Sequence, residues 1–346
     1  MRTEPSSTKP NPVKTALAKA IGSLRADDDM LEVLNAFASL DPDAIEKLDA
    51  DAARQNPTPA DAVKKLLTEQ GRDTQPEFLV PGVRTFDIEV AGAESSLPAT
   101  VYVPEGAGPF PVVLYFHGGG WVIADRKVYD GGARSLAKAA NAAVVSVDYR
   151  QAPEHRFPAA WDDAFAAYRW LLANSAQVNG DGGAVALAGE SAGGNLALAT
   201  AIAARDAQLP LPAHVVAVYP VTQTSLNTES YLENAIAVPL NREMVKWFVE
   251  HLINSPEELQ DPRLQLIDAH LEGLPPVTLI TARIDPLRSD GAKMEEALKA
   301  AGVDVERRDY EGVTHEFFGM GAVVAKARDA VQFAADRLRG LRSKAN

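Results

Sequence analysis

Apolar positions in the first 75 residues recur at helical spacing. Met30, Leu31, Val33, Leu34 and Phe37 share one face. Asp41-Pro42 predicts the start of a second helix carrying Ile45 and Leu48, and a third is predicted over 60–67. No strand period appears there. The pattern changes near Val80-Pro81-Gly82: residues 84–90 alternate, 99–103 follow after a turn, and 112–116 are continuously apolar. Further short apolar runs at 143–149, 185–188, 215–219 and 276–281 predict strands, and the segment 304–310 is read as a last one. Helices are predicted between and after them at 131–140, 161–174, 191–205, 291–301 and 322–341. Unbroken apolar strands separated by helices mean an α/β fold, a mostly parallel sheet covered on both faces. Two early antiparallel strands and six alternating ones give eight.

One segment breaks the alternation. Residues 222–260 read as a polar loop and then a helix with Met244, Trp247, Phe248 and Leu252. An insert after a parallel strand belongs over the C-terminal edge of the sheet, where ligands bind. The division expected is a helical cap segment at 1–75 and an α/β domain at 76–346 with a cap insertion at about 222–260.

Composition narrows the class. Hydrophobic residues at 46% and charged residues at 23% fit an ordered globular chain of 346 residues and not a disordered one. Against 34 basic residues stand 47 acidic ones, a net charge of −13. That balance disfavours nucleic acid and anionic lipid as partners. Without cysteine there is no disulfide, no thiolate nucleophile and no zinc–sulfur site, and no metal is expected. No apolar run approaches membrane-spanning length. Residues 13–24 are broken by Lys14, Lys19 and Ser23, so a secretory segment is not expected and the cytoplasm is the expected compartment.

The chemistry gathers at strand ends. Gly189-Glu190-Ser191-Ala192-Gly193 follows the strand at 185–188 and opens a helix, the strand–turn–helix setting of a nucleophile elbow. His117-Gly118-Gly119-Gly120-Trp121 follows the strand at 112–116. Its glycines let backbone N–H groups approach a developing oxyanion, with Gly119, Gly120 and Ala192 the expected donors. No lysine–serine pair follows that would make it a phosphate loop. A serine hydroxyl needs a base, and the base an orienting carboxylate. Of the histidines after Ser191, His214 opens a strand, while His251 and His270 are expected to be solvated. His315 follows the last strand and is the expected base. Asp285 ends the preceding strand and is the expected acid; Asp290 reads as the N-cap of a helix starting at Gly291.

These motifs together resemble the hormone-sensitive-lipase-like family of bacterial carboxylesterases (family IV), within the α/β-hydrolases. The resemblance rests on His117–Trp121, Asp148-Tyr149-Arg150 with Pro153-Glu154, the elbow with Gly194, Asp285-Pro286-Leu287 and His315, over roughly residues 80–340. It implies an eight-stranded sheet with a helical cap, no cofactor, homodimers and a small-molecule ester substrate. Four departures stand out. Glu190 replaces a frequent aspartate and keeps the charge, Gln151 replaces a commonly apolar residue, Arg283-Ile284 replaces an acidic–aromatic pair, and Glu316 stands where glycine is usual.

The activity implied is serine carboxylesterase turnover of short- to medium-chain acyl esters through an acyl-enzyme. An aryl amidase or peptidase on the same triad, and a non-catalytic binder of small ligands, remain alternatives. Asp148, Arg150 and Glu154 read as braces of the oxyanion loop, and His117 as an orienting residue. Trp121, Met244, Trp247 and Phe248 are candidate substrate contacts, although aromatic residues at helical spacing also serve as core.

Overall fold

The computed structural model describes residues 25–339 and 341; the first 24 residues of the expected cap segment, with Lys14, Lys19 and Ser23, lie outside the described residues. The N-terminal part forms α1 (Asp28–Ser39), the short α2 (Ala50–Arg54), α3 (Pro59–Glu69) and the single turn α4 (Pro76–Leu79). In α1 the buried side chains Met30, Val33 and Ala36 lie three apart, which sets one face against the body of the protein. The helix expected from Asp41-Pro42 does not form. Only a 3-10 turn at Ile45–Lys47 appears, because Asp49 caps the next helix, its carboxylate accepting the Ala52 N–H. α3 opens on a reciprocal Thr58–Asp61 cap with Pro59 in its first turn.

Eight strands form one sheet: β1 (Val83–Ala91), β2 (Ser96–Pro104), β3 (Phe110–Phe116), β4 (Ala143–Val147), β5 (Gly180–Glu190), β6 (Val215–Val218), β7 (Val277–Ile284) and β8 (Val305–Thr314). Their order is β1-β2-β4-β3-β5-β6-β7-β8. β2 pairs antiparallel with β1 and β4, and the remaining pairs are parallel. The helices that follow are α5 (Asp130–Ala140), α6 (Ala159–Asn174), α7 (Ala192–Asp206), α8 (Glu229–Glu233), α9 (Arg242–Leu252), α10 (Arg288–Ala300) and α11 (Ala325–Leu338). α11 is shorter than the predicted 322–341, and a 3-10 turn at Phe317–Gly319 precedes it.

Strand alternation divides the core in two. Val112, Leu114 and Phe116 face α6, α7 and α10, whereas Val113 and Tyr115 face α5, α11, α1 and α3. A fully buried Leu, Val or Phe stabilises by about 1.5–3 kcal/mol, so these two sheet faces hold the fold. The segment after β6 carries α8 and α9 and meets the N-terminal part. Trp247 Nε1 donates to the Leu48 carbonyl at 3.0 Å, and Arg25 pairs with Glu233 at 2.9 Å. No helix among the described residues is long and apolar enough to cross a membrane.

Candidate active site

β5 ends at Glu190 and α7 begins at Ala192, so Ser191 alone makes the turn, at φ +56° and ψ −117°. A β-carbon on Gly189 would collide with the Gly193 carbonyl, and one on Gly193 with the carbonyls of Phe116 and His117. The turn therefore needs glycine on both sides. It sets Ser191 at the N-terminus of a 15-residue helix, where the backbone dipole favours negative charge.

Asp285 follows β7 directly and is fully buried. One of its oxygens accepts the Leu287 N–H at 2.8 Å, which turns the other, Oδ2, onto His315 Nδ1 at 2.7 Å. His315 follows β8, with the Tyr219 ring packed on the imidazole at 4.4 Å between centroids. Burial pushes the imidazole pKa down, but the Asp285 carboxylate, by charge and by hydrogen bond, and Glu316 and Glu190 beyond it push it up. The net shift is upward. Ser191 and His315 open onto one cavity of about 570 Å³, roofed by side chains of the N-terminal helices and of the segment after β6.

Gly119 and Gly120 line that cavity, and Ala192 begins α7 beside it. Among the described residues, the N–H groups of Gly119, Gly120 and Ala192 donate to no acceptor outside their own elements. The loop that carries the glycines is braced from below. Tyr149 donates to the His117 carbonyl at 2.9 Å and stacks on the His117 ring at 4.4 Å. Burial lowers the His117 pKa, opposed in part by Asp148. Asp148 accepts the Arg126 N–H and its guanidinium, and Arg150 pairs with the buried Asp163 at 2.8 Å.

Four sequence expectations need correction. Asp290 is not an N-cap, because α10 begins at Arg288 and places it in the first turn, fully buried. Its carboxylate accepts the Thr222 N–H at 3.2 Å and the Gln223 side chain at 3.0 Å, and burial pushes its pKa up to about 7. Glu190 does not simply keep the charge of an aspartate. It is buried with Tyr115 and Tyr219 donating to its two oxygens, and burial with the nearby Glu316 pushes it up to about 8. Trp247 does not line the cavity: Met244 and Phe248 share the cavity face of α9, one helical turn apart, and Trp247 turns towards Leu48. His251 is half-buried against Trp247, not solvated, while His270 is exposed and pairs with Glu272.

Trp121 packs on Trp161 and lines a second, smaller cavity that also borders Ser191. Glu316 sits at φ +71°, the left-handed region that explains the usual glycine and costs a longer side chain about 1–2 kcal/mol. Its carboxylate lines the large cavity and accepts the Tyr129 hydroxyl at 2.5 Å. Tyr129 and Leu240 also line the site, and neither carries a sequence motif that would single it out.

Residues 113–319 match the family described as the alpha/beta hydrolase fold. The chain is 38% identical to Carboxylesterase NlhH of Mycobacterium tuberculosis over 84% of this chain and 93% of that protein. It is 33% identical to the ethyl acetate hydrolase of Pseudomonas putida, over 70% of this chain and 78% of that one. Among solved structures, an esterase from Pyrobaculum calidifontis superposes with a TM-score of 0.77 at 34% identity, covering 86% of this chain and 95% of its own. The chain belongs to the hormone-sensitive-lipase-like family IV of the α/β-hydrolases.

Proposed function

We propose that the protein is a serine carboxylesterase in which Ser191 is the nucleophile, His315 the base and Asp285 its orienting acid. The observation that carries this reading is the 2.7 Å bond from His315 Nδ1 to Asp285 Oδ2, with Ser191 and His315 on one cavity. Held there, Nδ1 keeps its proton and Nε2 is left to accept one from Ser191 Oγ. As Oγ adds to the ester carbonyl, the new oxyanion is held by the unspent N–H groups of Gly119, Gly120 and Ala192. Each such donor is worth about 10²–10³ in kcat. His315 then gives its proton to the departing alcohol, and water repeats the sequence to release the acid. Asp285, hydrogen-bonded to the Leu287 N–H and to His315, stabilises the imidazolium in both halves.

The relatives named carboxylesterase and ethyl acetate hydrolase support ester turnover and a short acyl chain. The N-terminal helices and the segment with α8 and α9 act as a cap that limits chain length. A cytoplasmic location and a homodimeric state belong to the same reading, the dimer on family resemblance alone; cell fractionation and sedimentation velocity test them. A fluorophosphonate probe tests the chemistry. It is expected to label Ser191 in the native chain and to leave Ser191→Ala unlabelled and inactive on p-nitrophenyl esters. An unlabelled native chain would favour a ligand binder, and faster turnover of aryl amides than of esters would favour an amidase.

A further inference from the structure

Glu316 occupies a position where glycine would be easier. It stands one residue past His315 at φ +71°, in the left-handed region that glycine adopts freely. Its carboxylate lines the cavity, and the Tyr129 hydroxyl donates to it at 2.5 Å. Tyr129 comes from another part of the site. It is buried directly before α5, on the stretch of chain that leaves β3 through the oxyanion loop. Its ring centroid lies 5.9 Å from that of His117, and a β-carbon on Gly118 would run into its hydroxyl. β3 and β8 are not neighbours, because β5, β6 and β7 stand between them in the sheet. One hydroxyl thus touches both the loop with the oxyanion donors and the loop with the base.

We infer that Glu316 and Tyr129 are a positioning pair, which fastens the His315 loop to the oxyanion loop and keeps a carboxylate beside the imidazole. The inference rests on the esterase reading above and adds two residues that act through others. The first consequence is geometric. The reacting carbonyl must meet Ser191 Oγ while its oxygen reaches the N–H groups of Gly119, Gly120 and Ala192, and Nε2 of His315 must reach the same Oγ. Base and donors belong to different loops, so a bond between those loops sets their separation. A misplacement of about 1 Å can cost about a hundredfold in rate.

The second consequence is electrostatic. His315 is faced by Asp285 after β7, Glu190 at the end of β5 and the Tyr219 ring after β6, besides Glu316 on its own loop. Glu316 is faced by His315, Asp285 and Tyr129, and also by Glu190, to which Tyr115 and Tyr219 donate. Glu190 is pushed up to about 8 and holds its proton at neutral pH, which leaves Glu316 to carry charge. Burial pushes the Glu316 carboxyl up, whereas a protonated His315 and the Tyr129 hydroxyl push it down. Its charge is therefore most favoured when His315 holds the proton taken from Ser191. A group whose help grows as the imidazolium forms speeds turnover without tightening substrate binding.

Three variants and their combination test the pair, with p-nitrophenyl acetate as substrate and folding checked by circular dichroism. Glu316→Gln keeps the length and an oxygen for Tyr129 but removes the charge. Its kcat/KM should lose activity in acid through a midpoint about half a unit or more below the native one. Tyr129→Phe keeps the ring and the carboxylate but removes the bond; kcat should fall about tenfold, with KM within about twofold. Glu316→Gly relaxes the backbone and removes both bond and charge, so it should be folded yet slower than Glu316→Gln. Adding Tyr129→Phe to Glu316→Gly should slow it by no more than about twofold, because that bond is already gone. An unmoved midpoint in Glu316→Gln would overturn the inference, as would losses that multiply in the double variant. A folded Glu316→Gly as fast as the native chain would also overturn it and leave the esterase reading intact. No turnover by the native chain would overturn the esterase reading itself.

Discussion

Two buried aspartates stand five residues apart, and only one of them is expected to matter for turnover. Asp285 Oδ1 accepts the Leu287 N–H at 2.8 Å and Oδ2 meets His315 Nδ1 at 2.7 Å. In Asp285→Asn the backbone N–H holds the amide oxygen, so the amide NH2 is turned towards His315. Nδ1 must then accept a hydrogen bond, its proton moves to Nε2, and the ring cannot take one from Ser191. That wrong tautomer costs about 10⁴ in kcat in a comparable triad, or about 5.4 kcal/mol. Asp290→Asn keeps one of two accepted hydrogen bonds and leaves Thr222 N–H or the Gln223 amide facing an NH2 group. One buried donor without an acceptor costs about 1–3 kcal/mol of stability. Loss of charge adds little near neutral pH, because burial has pushed Asp290 up to about 7. Steady-state turnover of p-nitrophenyl acetate and urea denaturation, run on both variants, separate the two effects. An Asp285→Asn variant within about tenfold of the native rate, or a folded but inactive Asp290→Asn, would refute the assignment.

The upward shift of His315 predicts that kcat/KM falls with acid through a midpoint above the ordinary histidine value of about 6.5. A midpoint at or below that value would mean that burial outweighs Asp285. Burial raises Glu190 from the usual 4.5 to about 8, so between those values the folded chain holds a proton that the unfolded chain has released. Stability should therefore fall with rising pH across that window, by up to about 1.4 kcal/mol per unit. Glu190→Gln should flatten the slope of denaturation midpoints from about pH 5 to about pH 8, and an unchanged slope would count against a protonated Glu190.

The sheet was legible because its inner strands are short apolar runs closed by turn signals, and Ser191, Asp285 and His315 each stand one residue past a strand end. Periodicity alone locates such positions. What it missed depends on partners far along the chain. Asp290 is buried because Thr222 and Gln223, some 68 residues earlier, fold onto it, so local capping rules mistook it for a surface cap. The titration of Glu190 depends on its burial and on Glu316 past β8, opposed by the hydroxyls of Tyr115 in β3 and Tyr219 after β6. Spacing showed that Met244, Trp247 and Phe248 share a helix, but which of them meets the cavity depends on where Leu48 lies.

Arg54 links the N-terminal part to the glycine-bearing loop, and that link predicts an effect on the chemistry beyond that of a roof. Its guanidinium holds both oxygens of Glu154 at 2.7 Å, donates through Nε to the Val122 carbonyl at 2.9 Å and through Nη2 to the Ala152 carbonyl at 2.9 Å. Val122 lies two residues past Gly120, and Ala152 itself donates its N–H to the Trp121 carbonyl at 2.9 Å. One side chain thus ties α2 to the far end of the oxyanion loop and to the turn that supports it. The planar fork makes these bonds together, and a lysine can replace only some of them. Donors displaced by about 1 Å can lose about a hundredfold in rate without weakening ground-state binding. Arg54→Lys should therefore lower kcat by about tenfold or more, leave KM within about twofold and remain folded by circular dichroism. Glu154→Gln should fall in the same direction by less, since the carbonyl bonds survive. If Arg54→Lys raised KM at constant kcat, the N-terminal part would be shaping the cavity walls and not the oxyanion loop.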